Sequence, residues 1–137
     1  MSLQNLGGVP PPDATGTKLG ARAKEVAEET GTVGMCYHYV KISVREVIAD
    51  FLTGGAAYMA ADQLASHTQY FTEIKDLKYT DLPNLPAGVI VVWGKTDKSP
   101  YGHISVALGD GEEASDHLEK QHTNLRGYEN FRVFMPK

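Results

Sequence analysis

One cysteine, one tryptophan and no long apolar run bound what this 137-residue sequence can be. A single cysteine excludes an internal disulfide framework and the multi-cysteine metal patterns, which leaves Cys36 as either packing or chemistry. No apolar stretch approaches the roughly 18 residues that cross a bilayer, and the N-terminus lacks the basic and apolar regions of a signal peptide. If the protein is exported, its signal is expected to lie outside this sequence or its route to be unconventional. Thirteen Lys and Arg against seventeen Asp and Glu give a formal net charge of −4, with the two signs interspersed. That leaves no basic stripe for nucleic acid and no cationic helix for a membrane surface, so neither partner is expected. With 42% hydrophobic and 22% charged residues, the chain suits one compact, monomeric domain.

Residues 1–16 hold Gly7-Gly8 and Pro10-Pro11-Pro12 with little apolar periodicity, and are expected to form an arm or linker outside a single domain spanning 17–137. Leu19, Ala23, Val26, Ala27 and Thr30 share one face of a helix over 17–30, which Gly31 ends. Cys36, Val40, Val44, Val47, Ile48 and Phe51 mark a second helix that opens near Cys36 and stops at Gly54-Gly55. An alanine-rich pattern predicts a third over about 56–70.

Beyond Pro86 the texture changes to β-branched and alternating runs, which predict strands over 88–93 and 102–108. Asp110-Gly111 is a two-residue hairpin signal, returning through 112–117, and 131–134 supplies a last strand. Helices first and strands afterwards predict an α+β fold, with helices packed on an antiparallel sheet.

Cys36 follows two glycines at the start of a helix, where free amides and the helix dipole favour a thiolate. A cysteine nucleophile also needs an imidazole to take its proton and a third polar group to hold that ring. Of the five histidines, His103 is the best placed, because it shares a strand face with the small residues Ser105 and Ala107. A two-residue turn at Asp110-Gly111 puts Asp116 on that same face, diagonal to His103, with Ser115 and His117 pointing the other way. His117, Glu119 and His122 match no standard ligand spacing, so no metal or organic cofactor is expected.

Three stretches carry a family resemblance: Gly34-Met35-Cys36 opening a helix, Leu85-Pro86-Ala87-Gly88-Val89-Ile90-Val91-Val92-Trp93, and Tyr101-Gly102-His103-Ile104-Ser105-Val106-Ala107-Leu108-Gly109-Asp110-Gly111. Together, over roughly 17–135, the sequence resembles the NlpC-type cell-wall cysteine peptidases and the related CHAP amidases, which share a compact papain-like fold. The resemblance implies that Cys36 attacks an amide of peptidoglycan peptides, that His103 is the base and that Asp116 orients it. The family's usual spacing from the histidine falls on Ser115, and His117 is the remaining alternative for the third position. The Cys36 backbone amide would serve an oxyanion hole, assisted by His38 or Tyr101.

Met35 and Tyr37 stand where many NlpC-type enzymes carry Asp and Ser, and a tyrosine usual shortly before the cysteine is absent. Substrate preference therefore does not carry over. The expectation is a bacterial or phage thiol hydrolase of peptidoglycan peptides, acting in the cell wall or periplasm after export, phage release or delivery by a secretion system. In a toxin setting an immunity or inhibitor protein would be its partner. The alternatives are an inactive module that binds cell-wall peptides, and a thiol acyltransferase or thioesterase of the same superfamily. Relatives of lecithin retinol acyltransferase place the histidine before the cysteine, the reverse of the order here.

Overall fold

The computed structural model describes residues 14–31, 34–123 and 130–137. Its helices are α1 (Ala14–Thr30), α2 (Cys36–Val47) and α3 (Ala60–Ser66), the last entered through a 3-10 turn at Ala57–Met59. Its strands are β1 (Phe71–Ile74), β2 (Ile90–Trp93), β3 (His103–Ala107), β4 (Glu112–Ala114), β5 (Leu118–Lys120) and β6 (Phe131–Pro136), with a second 3-10 segment at Tyr79–Asn84. The strands form one antiparallel sheet in the order β1-β6-β2-β3-β4-β5. This is the α+β arrangement that helices-then-strands predicts.

Strand alternation divides the core in two. Ile90, Val92, Ile104, Val106, Ala114 and Phe134 meet Leu19, Ala23 and Ala27 of α1, Val40 and Val44 of α2, and Leu64 of α3. On the other side Val89, Val91, Trp93, Ala107 and Val133 pack with Ile74, Leu82 and Leu85. Trp93 is fully buried beside Tyr79 and Phe131, a core residue as its place in an apolar strand predicts.

Four boundaries differ from the sequence expectation. Residues 14–16, read as part of the arm, are the first turn of α1, and the rest of that arm lies outside the described residues. The α2 helix stops at Val47, where the Ile48 and Ala49 amides both donate to Val44 O. Phe51 then leaves the helical path to stack on His67 at 4.0 Å and on Tyr70 at 5.7 Å. Gln63 clamps the following loop, accepting the Thr53 amide at 2.8 Å and donating to Thr53 O at 2.8 Å. The predicted third helix is correspondingly short, and its last residues turn into β1, which pairs with β6 from Phe71↔Pro136 to Ile74↔Val133. The return strand over 112–117 breaks at Ser115–His117 into β4 and β5. Among the described residues, no helix is long and apolar enough to cross a membrane.

Candidate active site

Cys36 is the first residue of α2, half buried, and Met35 at the N-cap offers no side-chain cap. Asp116 supplies the missing partner, its Oδ2 accepting the Met35 amide at 2.7 Å. A carboxylate there satisfies an amide that the helix leaves unpaired and matches the positive end of the dipole.

His103 opens β3 opposite Trp93. Gly102 delivers it there with φ +68, and a Cβ on Gly102 would sit 2.3 Å from Trp93 O. Gly102→Ala is therefore expected to cost about 1–3 kcal/mol and to lower the melting temperature by several degrees, measured by thermal denaturation.

The His103 imidazole is buried, with Nε2 2.6 Å from Glu113 Oε2. It also hydrogen-bonds the Cys36 side chain, for which Nδ1 is the nitrogen left. Burial pulls its pKa down, but the Cys36 and Glu113 contacts outweigh that and hold it well above 6.5. Glu113 is wholly buried, and its Oε1 accepts the Gln121 amide at 3.0 Å and the His122 backbone N–H at 2.9 Å. Burial pushes the Glu113 carboxyl up, yet hydrogen bonds from His103 and His122 bring it down to about 2.

Both shifts make stability depend on pH. A carboxyl lowered from 4.5 to about 2 stabilises fully above 4.5 and loses that contribution as pH falls towards 2. An imidazole raised above 6.5 stabilises fully below 6.5 and loses that contribution as pH rises through its folded value. The pair therefore contributes most between 4.5 and 6.5. Melting temperature against pH should show this window, and Glu113→Gln should flatten its acid side.

The register after β3 differs from the sequence expectation. Val106 pairs with Ala114 and Ala107 with Glu113, while the Leu108 amide donates to Glu112 O at 3.0 Å. The connection is thus the three residues Gly109-Asp110-Gly111, with both glycines at positive φ (86° and 90°), not the two-residue Asp110-Gly111 turn. One extra loop residue shifts every partner by one, so Glu113 rather than Asp116 shares the His103 face. Asp116 is instead at the α2 N-terminus, its Oδ1 accepting from Ser115 Oγ at 3.2 Å and lying 2.8 Å from His117 Nδ1. Ser115 is buried with its hydroxyl on Asp116, and His117 lies between Asp116 and Glu119. Gly109 is the signal in the sequence: with it counted in the turn, Glu113 takes the inward position that a solvated Glu112-Glu113 pair conceals.

Two cavities meet at the thiol. One of about 450 Å³ is lined by Gly34, Cys36, Tyr101 and His103 together with Lys98, Asp116, His117, Glu119 and His122. The other, about 480 Å³, runs past Cys36 along Met35, Tyr37, His38, Lys41 and Tyr101. A chain lying through both would cross Cys36. As a donor set, His103, Glu113 and His122 offer ligand atoms within 4.8 Å of one another. Two imidazoles and a carboxylate suit zinc, but an ion there would take the His103 nitrogen that Glu113 now holds.

Helices packed on a six-stranded antiparallel sheet, with a cysteine at a helix start against a strand histidine, make this a papain-like fold. A chain of the type VI native effector-immunity complex Tae3-Tai3 from Ralstonia pickettii is similar, with a TM-score of 0.63 and 18% identity over 87% of this chain and 96% of that one. A chain of the selenomethionine form of that complex gives a TM-score of 0.58 at 17% identity, over 82% and 97%. No protein-family model matches the sequence, and no curated protein matches it.

Proposed function

We propose that the protein is a cysteine amidase that hydrolyses an amide bond in peptidoglycan peptides. The observation that carries this is the line Cys36, His103, Glu113, in which a half-buried thiol at a helix N-terminus faces a buried imidazole whose far nitrogen a carboxylate holds at 2.6 Å. His103 takes the thiol proton, and the Cys36 sulfur adds to the substrate carbonyl carbon, whose oxygen becomes an oxyanion near the Cys36 amide. As the C–N bond breaks, His103 returns the proton to the leaving amine, leaving a thioester on Cys36. His103 then takes a proton from water, which attacks the thioester carbonyl to release the acid and the thiol. His38 and Tyr101, both beside Cys36, are placed to contact the substrate as it enters.

The cell wall enters this reading through the motif resemblance, and the structural likeness supports it. Because the similar chains come from an effector-immunity complex, the proposal extends to delivery as a type VI effector, action in the periplasm of a target cell and neutralisation by an immunity protein. Incubation of purified sacculi should release muropeptides with new amine termini, and His103→Ala should not. Equal profiles would sink the amidase reading and favour a module that binds cell-wall peptides, the alternative that Met35 and Tyr37 keep open.

A further inference from the structure

Glu113 is not the end of the line of contacts that begins at Cys36. His122 lies with Nδ1 2.9 Å from Glu113 Oε1 and Nε2 3.1 Å from Glu119 Oε1. The other Glu119 oxygen meets His117 Nε2, and His117 Nδ1 is 2.8 Å from Asp116 Oδ1. Asp116 Oδ2 in turn holds the amide of Met35, the residue before the thiol. Carboxylates and imidazoles alternate along the whole path, which starts and finishes at the Cys36–His103 pair.

We propose that His122 is a positioning residue for that pair, the central link of a chain Glu113–His122–Glu119–His117–Asp116 that ties the strand-borne base to the helix N-terminus bearing the thiol. The proposal rests on the amidase reading for its chemistry, although the geometry stands apart from it. Three features support it. Glu113 and the His122 side chain are 0% and 5% exposed, so water has little access between those two. The path runs from His103 of β3 by way of β4 and β5 to α2, and β3 and α2 must hold a nitrogen and a sulfur within hydrogen-bonding reach. Finally, His103 gives its proton away within each half of the reaction, and a buried carboxylate then needs another partner. His122 provides it through its backbone N–H, with ring Nδ1 2.9 Å from the same oxygen. The groups facing His122 are His103 from β3, its ring centroid 4.6 Å away, Glu113 from β4 and Glu119 from β5. Lys98 lines the cavity beside them.

The test uses the full chain with His122→Asn and His122→Gln. The proposal expects kcat on peptidoglycan peptides to fall at least ~10-fold, part of the 10²–10⁴-fold that a positioned acid–base group contributes, with KM changed less than about threefold. Alkylation of Cys36 by iodoacetamide at pH 6 should slow by at least ~10-fold as well, because the same pairing sets thiolate availability. A folded variant with wild-type alkylation overturns the proposal. If the wild type releases no peptide, the amidase reading fails, and alkylation alone still decides the role of His122. If neither variant folds, Glu119→Gln decides in their place: it should slow Cys36 alkylation at pH 6 several-fold, and a wild-type rate would overturn the chain.

Discussion

Cys36→Ala is expected to reduce amide hydrolysis by about 10⁶-fold while leaving the fold intact. The sulfur is the atom that bonds to the substrate in the proposed reaction, and no other thiol exists in the sequence to replace it. Structurally the change is small, because Cys36 is half exposed at the first turn of α2 and only part of its side chain packs on the core. Loss of that partial packing should cost about 1 kcal/mol or less. The variant should therefore still fold and still bind substrate peptides, since Tyr101, His38 and Lys41 line the cavity independently of the thiol. Circular dichroism and product analysis on one preparation separate the two effects.

Glu113→Gln should lower kcat by roughly 10³–10⁴-fold, the size seen when a carboxylate orienting a catalytic imidazole becomes an amide. Both Glu113 oxygens now accept hydrogen bonds: Oε2 from His103, Oε1 from Gln121 and from the His122 backbone. An amide has one oxygen and one NH₂, so one side must face a donor with a donor. If the NH₂ faces His103, the ring must accept at Nε2 and then presents its N–H, rather than a free nitrogen, to Cys36. If the NH₂ faces His122 and Gln121, two buried donors lose their acceptor. Either outcome also removes the negative charge that stabilises the imidazolium. Asp116→Asn is expected to behave differently, reducing stability through the Met35 amide while lowering kcat far less. Turnover by each variant, measured on the same muropeptide, distinguishes the two carboxylates.

Much of this arrangement was legible because the signals are local. The glycine-to-helix junction at Cys36, the alternation from His103 to Leu108 and the β-branched run ending at Trp93 each fix an element from neighbouring residues alone. Glu113 was hidden because its placement depends on a loop count: whether Gly109 belongs to the strand or to the turn decides which of the residues 113 and 116 faces inward. Hydrophobic patterning is weak there, since Glu112-Glu113 reads as solvated charge until the register is known. Strand β1 was missed for a related reason. Tyr70 and Phe71 continue a helical apolar spacing, and only pairing with β6, more than sixty residues later, makes Phe71 extended. The early end of α2 likewise follows from Phe51 stacking on His67, a contact between separate segments.

In the proposed reaction His103 activates the Cys36 thiol, and the rate of Cys36 alkylation by iodoacetamide at pH 6 tests this most directly. An ordinary thiol, with a pKa of about 8.5, is less than ~1% ionised at that pH. The wild type is predicted to react at least ~10-fold faster than His103→Ala, because the imidazole beside the sulfur takes its proton. Equal, slow rates in the two proteins would contradict the account and leave Cys36 a packing residue.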